Sequence, residues 1–250
     1  LLSAGKISPT EKIDVCVPSG NFGNIFAAYL AKRMGLPIGQ LICASNSNNV
    51  LTEFLTTGVY DRNRPFHKTI SPSMDILISS NLERLISLLF GAQRTCELME
   101  ELRAYGRYSL TAEELETLKQ DFSAYSTSEE ATAEIIKNTY KEKNCLTDPH
   151  TSVAIGAAAK YMNDHKAERK ILIVSTASPF KFADSVCAAI TGVHICAEEA
   201  PGALHELTGK DIPAPLRDIA NLKILHPGTI APTDMSETVE NFAAVNMRGV

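Results

Sequence analysis

The sequence predicts an α/β fold: an open, mostly parallel sheet with helices on both faces, plus a helical insertion. Three observations carry this expectation. Short apolar runs at 13–17, 41–44 and 170–174 have the length and composition of buried strands. Segments with helical spacing alternate with them at 25–34, 50–57, 82–89, 152–161 and 182–190. Two of the strands end in small, polar turns, around Ser19-Gly20 and around Ser175-Thr176. In sheets of this kind ligands gather at the carboxyl ends of the strands.

Taken in order, Ile13-Asp14-Val15-Cys16-Val17 is the first strand, and Ile25 to Met34 is a helix closed by Gly35 and Pro37. The strand at 41–44 runs into Ser45-Asn46-Ser47-Asn48-Asn49, and a short helix follows at 50–57. Leu82, Leu85, Ile86 and Leu89 mark one face of the next helix. From 93 to 147 the chain turns polar, acidic and helical. Thr111 and Glu114 have the spacing of a capping box, and Ser128-Glu129-Glu130 is a second helix start. This stretch reads as a solvated helical hairpin without chemistry of its own. Asp148-Pro149-His150-Thr151 then opens a helix of small residues that can pack closely, and 170–174 is the last clear strand. From Pro201 onward prolines and glycines multiply (Pro213, Pro215, Pro227, Gly228), the mark of a looping tail. The expected layout is a core at 12–92 and 148–200, a helical segment at 93–147 and a tail at 201–250.

Composition excludes several partners. The formal charge of -5 and the lack of basic runs argue against nucleic acid. No apolar stretch reaches the roughly 18–20 residues needed to span a bilayer. Leu1-Leu2-Ser3-Ala4-Gly5-Lys6 lacks the pattern of a secretory signal. The 6 cysteines are scattered without a C-x-x-C pair, which favours free thiols in a reducing cytoplasm, and no His or Cys pair has metal-ligand spacing.

The run Val17-Pro18-Ser19-Gly20-Asn21-Phe22-Gly23-Asn24 carries the candidate chemistry. A strand, a glycine-containing turn and a helix in that order form an anion cradle, because free N–H groups of the first helical turn meet the ligand with the helix dipole behind them. A nucleoside-triphosphate loop would place Lys and Ser/Thr after Gly23, where Asn24 and Ile25 stand. A dinucleotide fold would place an acidic residue about 20 positions on, where the Asn-rich segment stands. A single phosphate held by backbone amides and Asn side chains fits better. By spacing alone, an ordinary βα turn with an Asn cap fits equally well.

The stretch 18–24 resembles the pyridoxal-phosphate phosphate loop of threonine synthases, members of the tryptophan-synthase-β-like superfamily of fold type II. Four further segments agree in the order that family shows. They are Cys43-Ala44-Ser45-Asn46-Ser47-Asn48-Asn49 with Phe54-Leu55, then Ser71-Pro72-Ser73-Met74-Asp75-Ile76, then Thr147-Asp148-Pro149-His150-Thr151, and last Ser175-Thr176-Ala177-Ser178-Pro179-Phe180-Lys181-Phe182. Asn49 stands where many members have Asp, and Ser178 where many have His.

The resemblance implies pyridoxal 5'-phosphate as cofactor, bound by Gly20, Asn21, Phe22, Gly23 and Asn24 at its phosphate and by the Thr176 hydroxyl at its ring nitrogen. Read without it, Thr176 is a β-branched residue capping a strand; Ser175 is the alternative hydroxyl. It also implies that this is the C-terminal part of a longer enzyme converting O-phosphohomoserine and water to threonine and phosphate. The Schiff-base lysine would lie upstream in the missing N-terminal half, so this part has no catalytic residue of its own and is inactive alone. A related phospho-lyase or dehydratase, and a noncatalytic phosphate- or nucleotide-binding module, are the alternatives. Lys181, at a helix start, reads as a surface or anion-contact residue. His150 reads as orienting a loop, and Asn46, Asn48 and Asn49 as facing substrate or as a structural ladder. For Asp75, capping a helix and reaching the site both stay open.

Overall fold

A computed structural model describes residues 3–8, 10–225 and 228–247. Leu1, Leu2 and Pro227, named above, lie outside the described residues. Four strands form one parallel sheet in the order β5-β2-β1-β6: β1 (Ile13–Pro18), β2 (Ile38–Ser45), β5 (Phe122–Ser126) and β6 (Ile171–Ile173). A separate antiparallel pair joins β3 (Val59–Asp61) to β4 (Arg107–Ser109).

Alternation along the strands explains why both faces are covered. Val15, Val17, Leu41 and Cys43 face one side, where they join buried residues of α1 (Gly23–Arg33), α2 (Val50–Thr57) and α3 (Leu82–Tyr105). Cys16, Ile42 and Ala44 face the other, against Val153, Ala154, Ala157, Ala158 and Tyr161. Strands buried on both faces read as continuous apolar runs, which is how β1 and β2 stand in the sequence. Two rings close the first core: Phe22 and Tyr29 lie 5.8 and 5.3 Å from Phe122.

Residues 93–147 hold the end of α3, then α4 (Ala112–Lys119) and α5 (Glu129–Lys143). Thr111 and Glu114 make the expected capping box. The same stretch also supplies β5, which pairs with β2 from Leu41↔Phe122 to Ser45↔Ser126. Its sequence, Phe-Ser-Ala-Tyr-Ser, is too polar to announce a strand; the free edge of β2 makes it one.

The helix that packs on the second face is α6 (Pro149–His165). Its small residues are required: a Cβ on Gly156 would sit 2.6 Å from Thr127 Oγ1. After β6 come α7 (Ala183–Thr191) and α8 (Ala200–Thr208). Ala200 and Leu204 of α8 are buried, so the expected tail begins with a packed helix. The unit ends at Pro213, and a second unit, 214–250, contains α9 (Ala214–Arg217) and α10 (Met235–Met247). Among the described residues no helix is long and apolar enough to cross a membrane, and no cluster of three or more His, Cys, Asp or Glu could hold a metal ion.

Candidate anion-binding site

Sheet order sets the site, because β1 is flanked by β2 and β6 and all three run parallel. The turn after β1 and the turn after β6 therefore emerge at the same edge. The first begins at Ser19, whose N–H bonds the Ala44 carbonyl at 2.9 Å and whose hydroxyl donates to the Val17 carbonyl. Beyond it, the N–H groups of Gly20, Asn21, Phe22 and Asn24 take no partner among the described residues. That of Gly23 is occupied by Asn21 Oδ1 at 3.1 Å.

Phe22 adopts the left-handed conformation, φ 65 and ψ 9, at the start of α1. A bulky residue there is strained, and such strain survives only where the surroundings hold it. Here the ring is anchored in the core at 1% exposure. Left-handed turns gather successive amides into anion-binding concavities. The helix start has no side-chain cap and no acidic residue in its first turn, so its dipole is uncompensated.

Gly20, Asn21, Asn24 and Thr176 line one cleft of roughly 180 Å³. Ser73, Met74, His150 and Lys181 line it as well. The 73–74 segment was legible only as part of a family-like block; nothing in its local pattern places it opposite the loop. Contact between the two is close: a Cβ on Gly20 would meet Met74 Cα at 3.0 Å and the Ser73 carbonyl at 3.1 Å.

His150 holds that second wall. Its Nε2 accepts the Ser73 N–H at 3.2 Å, so Nδ1 carries the proton and bonds Asp148 Oδ1 at 2.9 Å. The Asp148 carboxylate also caps α6, accepting from the N–H groups of His150 and Thr151. Burial pushes its pKa up, but the hydrogen bonds from His150 and Thr151 outweigh burial and hold it below the ordinary carboxylate value. Thr151, which donates to Asp148, lies 3.2 Å from Ser175 Oγ. Ser175 is thereby engaged, whereas the exposed Thr176 hydroxyl has no partner among the described residues.

The Asn-rich segment is a brace. Asn46 Nδ2 donates to Asp75 Oδ1 at 2.8 Å and Asn48 Nδ2 to the same atom at 3.0 Å. Thr69 adds its hydroxyl to Oδ1 at 2.7 Å and its N–H to Oδ2 at 2.8 Å. Asn49 Oδ1 accepts from Arg64 at 3.2 Å. Asp75 thus fastens the 67–75 loop to the end of β2, which carries Ser73 and Met74 to the cleft. The buried thiols of Cys16 and Cys43 take no part: burial pushes both pKa values up, that of Cys43 to about 12.

Residues 151–222 match the family model described as the C-terminal part of threonine synthase. The pyridoxal-phosphate-bound threonine synthase of Brucella melitensis superposes with a TM-score of 0.74 at 37% identity, over 89% of this chain and 44% of that one. The chain is similar to the C-terminal part of threonine synthases. Threonine synthase of Saccharomyces cerevisiae is 38% identical over 199 residues, 73% of this chain and 39% of that protein. Human threonine synthase-like 1 is 43% identical over 195 residues, 76% of this chain and 26% of that protein. The chain thus spans less than half the length of the threonine synthases it matches.

Proposed function

We propose that this chain supplies the phosphate cradle and the ring-nitrogen partner of a pyridoxal-phosphate enzyme of threonine synthase type. One observation carries the reading: amides at Gly20, Asn21 and Asn24 and the Thr176 hydroxyl, all without a partner among the described residues, share one cleft. The fit is specific. Gly20 leaves room where a Cβ would meet the 73–74 backbone, and among the described residues no carboxylate lines the cleft to repel an anion. Bound pyridoxal phosphate would supply an electron sink for substrate carbanions. The chain's own residues would do the rest. The loop amides and the Asn24 side chain hold the phosphate, Phe22 keeps the turn in register, and Gly23 with Asn21 Oδ1 closes it. Thr176 would offer the ring nitrogen a neutral hydroxyl rather than a carboxylate.

In this reading the whole protein converts O-phosphohomoserine and water to threonine and phosphate. The lysine that holds the cofactor covalently lies outside these residues, so the chain alone binds cofactor without turnover. A reducing, cytoplasmic setting suits its scattered thiols. Titrating the chain with pyridoxal phosphate, inorganic phosphate and ATP tests the reading: pyridoxal phosphate should bind most tightly. ATP binding best would overturn it in favour of a nucleotide-binding module.

A related phospho-lyase or dehydratase of the same superfamily is the second reading. Product analysis of the full-length protein separates the two, since only a threonine synthase releases threonine together with phosphate.

A further inference from the structure

Lys181 belongs to the same cleft as the loop amides, although it stands 161 positions after Gly20 in sequence order. It sits in the short turn Pro179–Phe182, which is fixed when Ser178 Oγ accepts the Phe180 N–H at 3.3 Å and the Ser178 carbonyl accepts the Lys181 N–H at 3.0 Å. Its ammonium makes no ion pair among the described residues, and its recorded neighbour is the Phe182 ring, 5.5 Å to the centroid. Among the described residues, the lining of the cleft thus includes one lysine and no Asp or Glu. A phosphomonoester carries between one and two negative charges near neutral pH, with a second pKa near 6. A helix N-terminus offers only about half a positive charge.

We infer that Lys181 is the cationic contact of this cleft and that, with the Gly20–Asn24 loop, it selects a phosphomonoester in its dianionic form. The inference rests on the proposed phosphate cradle. Two sources share that chemistry, the cofactor's phosphate tail and the phosphate of the amino-acid substrate.

The test uses the whole chain with pyridoxine 5'-phosphate, pyridoxine and O-phosphohomoserine as probes, followed by calorimetry. Pyridoxine 5'-phosphate has no aldehyde to condense with surface lysines, Lys181 included. Lys181 is exposed, so Lys181→Met should fold as the parent does, with circular dichroism as the check. The parent should bind pyridoxine 5'-phosphate far more tightly than pyridoxine, and more tightly as pH rises through about 6. Lys181→Met should lose roughly ten- to hundred-fold in affinity for at least one phosphorylated probe and should flatten its pH dependence, with pyridoxine unaffected. Lys181→Arg should recover most of the loss. Which probe suffers tells whose phosphate the ammonium meets. If Lys181→Met keeps full affinity for both phosphorylated probes while the parent still prefers phosphate, the role of Lys181 is refuted and the cradle stands. If the parent binds pyridoxine as tightly as its phosphate, cradle and ammonium both fail.

Discussion

Asn81 donates twice to the Asn21 carbonyl, from its backbone N–H at 3.0 Å and from its Nδ2 at 2.9 Å. The residue that starts α3 thus pins the centre of the loop after β1. Asn81→Ala removes one of these bonds and should cost about 1 kcal/mol of stability, read from urea unfolding. Phosphate affinity should fall as well, because the loop must then be ordered by the ligand. Unchanged phosphate binding would mean that the loop holds its shape without Asn81.

Gly20→Ala places a Cβ against the Met74 Cα and the Ser73 carbonyl, backbone atoms that a rotamer change cannot move aside. Overpacking of this kind costs about 1–3 kcal/mol. The loop and the 73–74 wall must part, so binding of pyridoxine 5'-phosphate should weaken by more than the loss of stability alone explains. Thermal unfolding and calorimetry on the same samples separate the two effects.

Asp75→Ala leaves Asn46, Asn48 and Thr69 without their shared acceptor. Asn46 and Asn48 keep acceptors at Ser71 and at the His67 carbonyl, but the Thr69 N–H loses its only partner among the described residues, so a loss of about 1–3 kcal/mol is expected. Denaturant titration checks it, and a cost below about 0.5 kcal/mol would show the brace to be redundant.

Asp148 gives the fold an acid-sensitive joint. Its side chain is fully buried, and its pKa in the folded chain lies below the ordinary 3.8. Between those two values the unfolded chain binds more protons than the folded one. The stabilisation is therefore complete above about pH 4–5, beyond the unfolded value, and drains away as pH falls through the folded value. Asp148→Asn keeps a capping side chain but turns the charge-assisted bonds from His150 and Thr151 into neutral ones, so it should be less stable by about 1–2 kcal/mol at neutral pH. The gap to the parent should narrow as pH drops below about 4. A gap that stays constant down to pH 2 would mean that the carboxylate charge contributes nothing.

Legibility divides along lines of distance. The strand, turn and helix from Ile13 to Arg33 were readable because every determinant lies within a few residues of the next. The strand before Thr176 was readable for the same reason, although β6 is shorter than its apolar run. Asn46 and Asn48 left two meanings open, and only their contacts with Asp75 chose between them. The Gly23 amide was expected to face the ligand along with its neighbours; a side-chain rotamer at Asn21 claims it instead. β5 escaped notice because a polar run becomes a strand only when a free sheet edge is offered to it.

By itself the sequence determined the periodicities, the turn chemistry and the helix starts, since these depend on forces between near neighbours. Only the tertiary structure decided that His150 holds the Ser73 amide, that Lys181 shares a cleft with Gly20, and that Ser175, not Thr176, is engaged by Thr151. Each of these joins segments that are distant in the chain. The parallel order of β2, β1 and β6 brings their ends to one edge, and a sheet order is a property of long-range packing that no local pattern encodes.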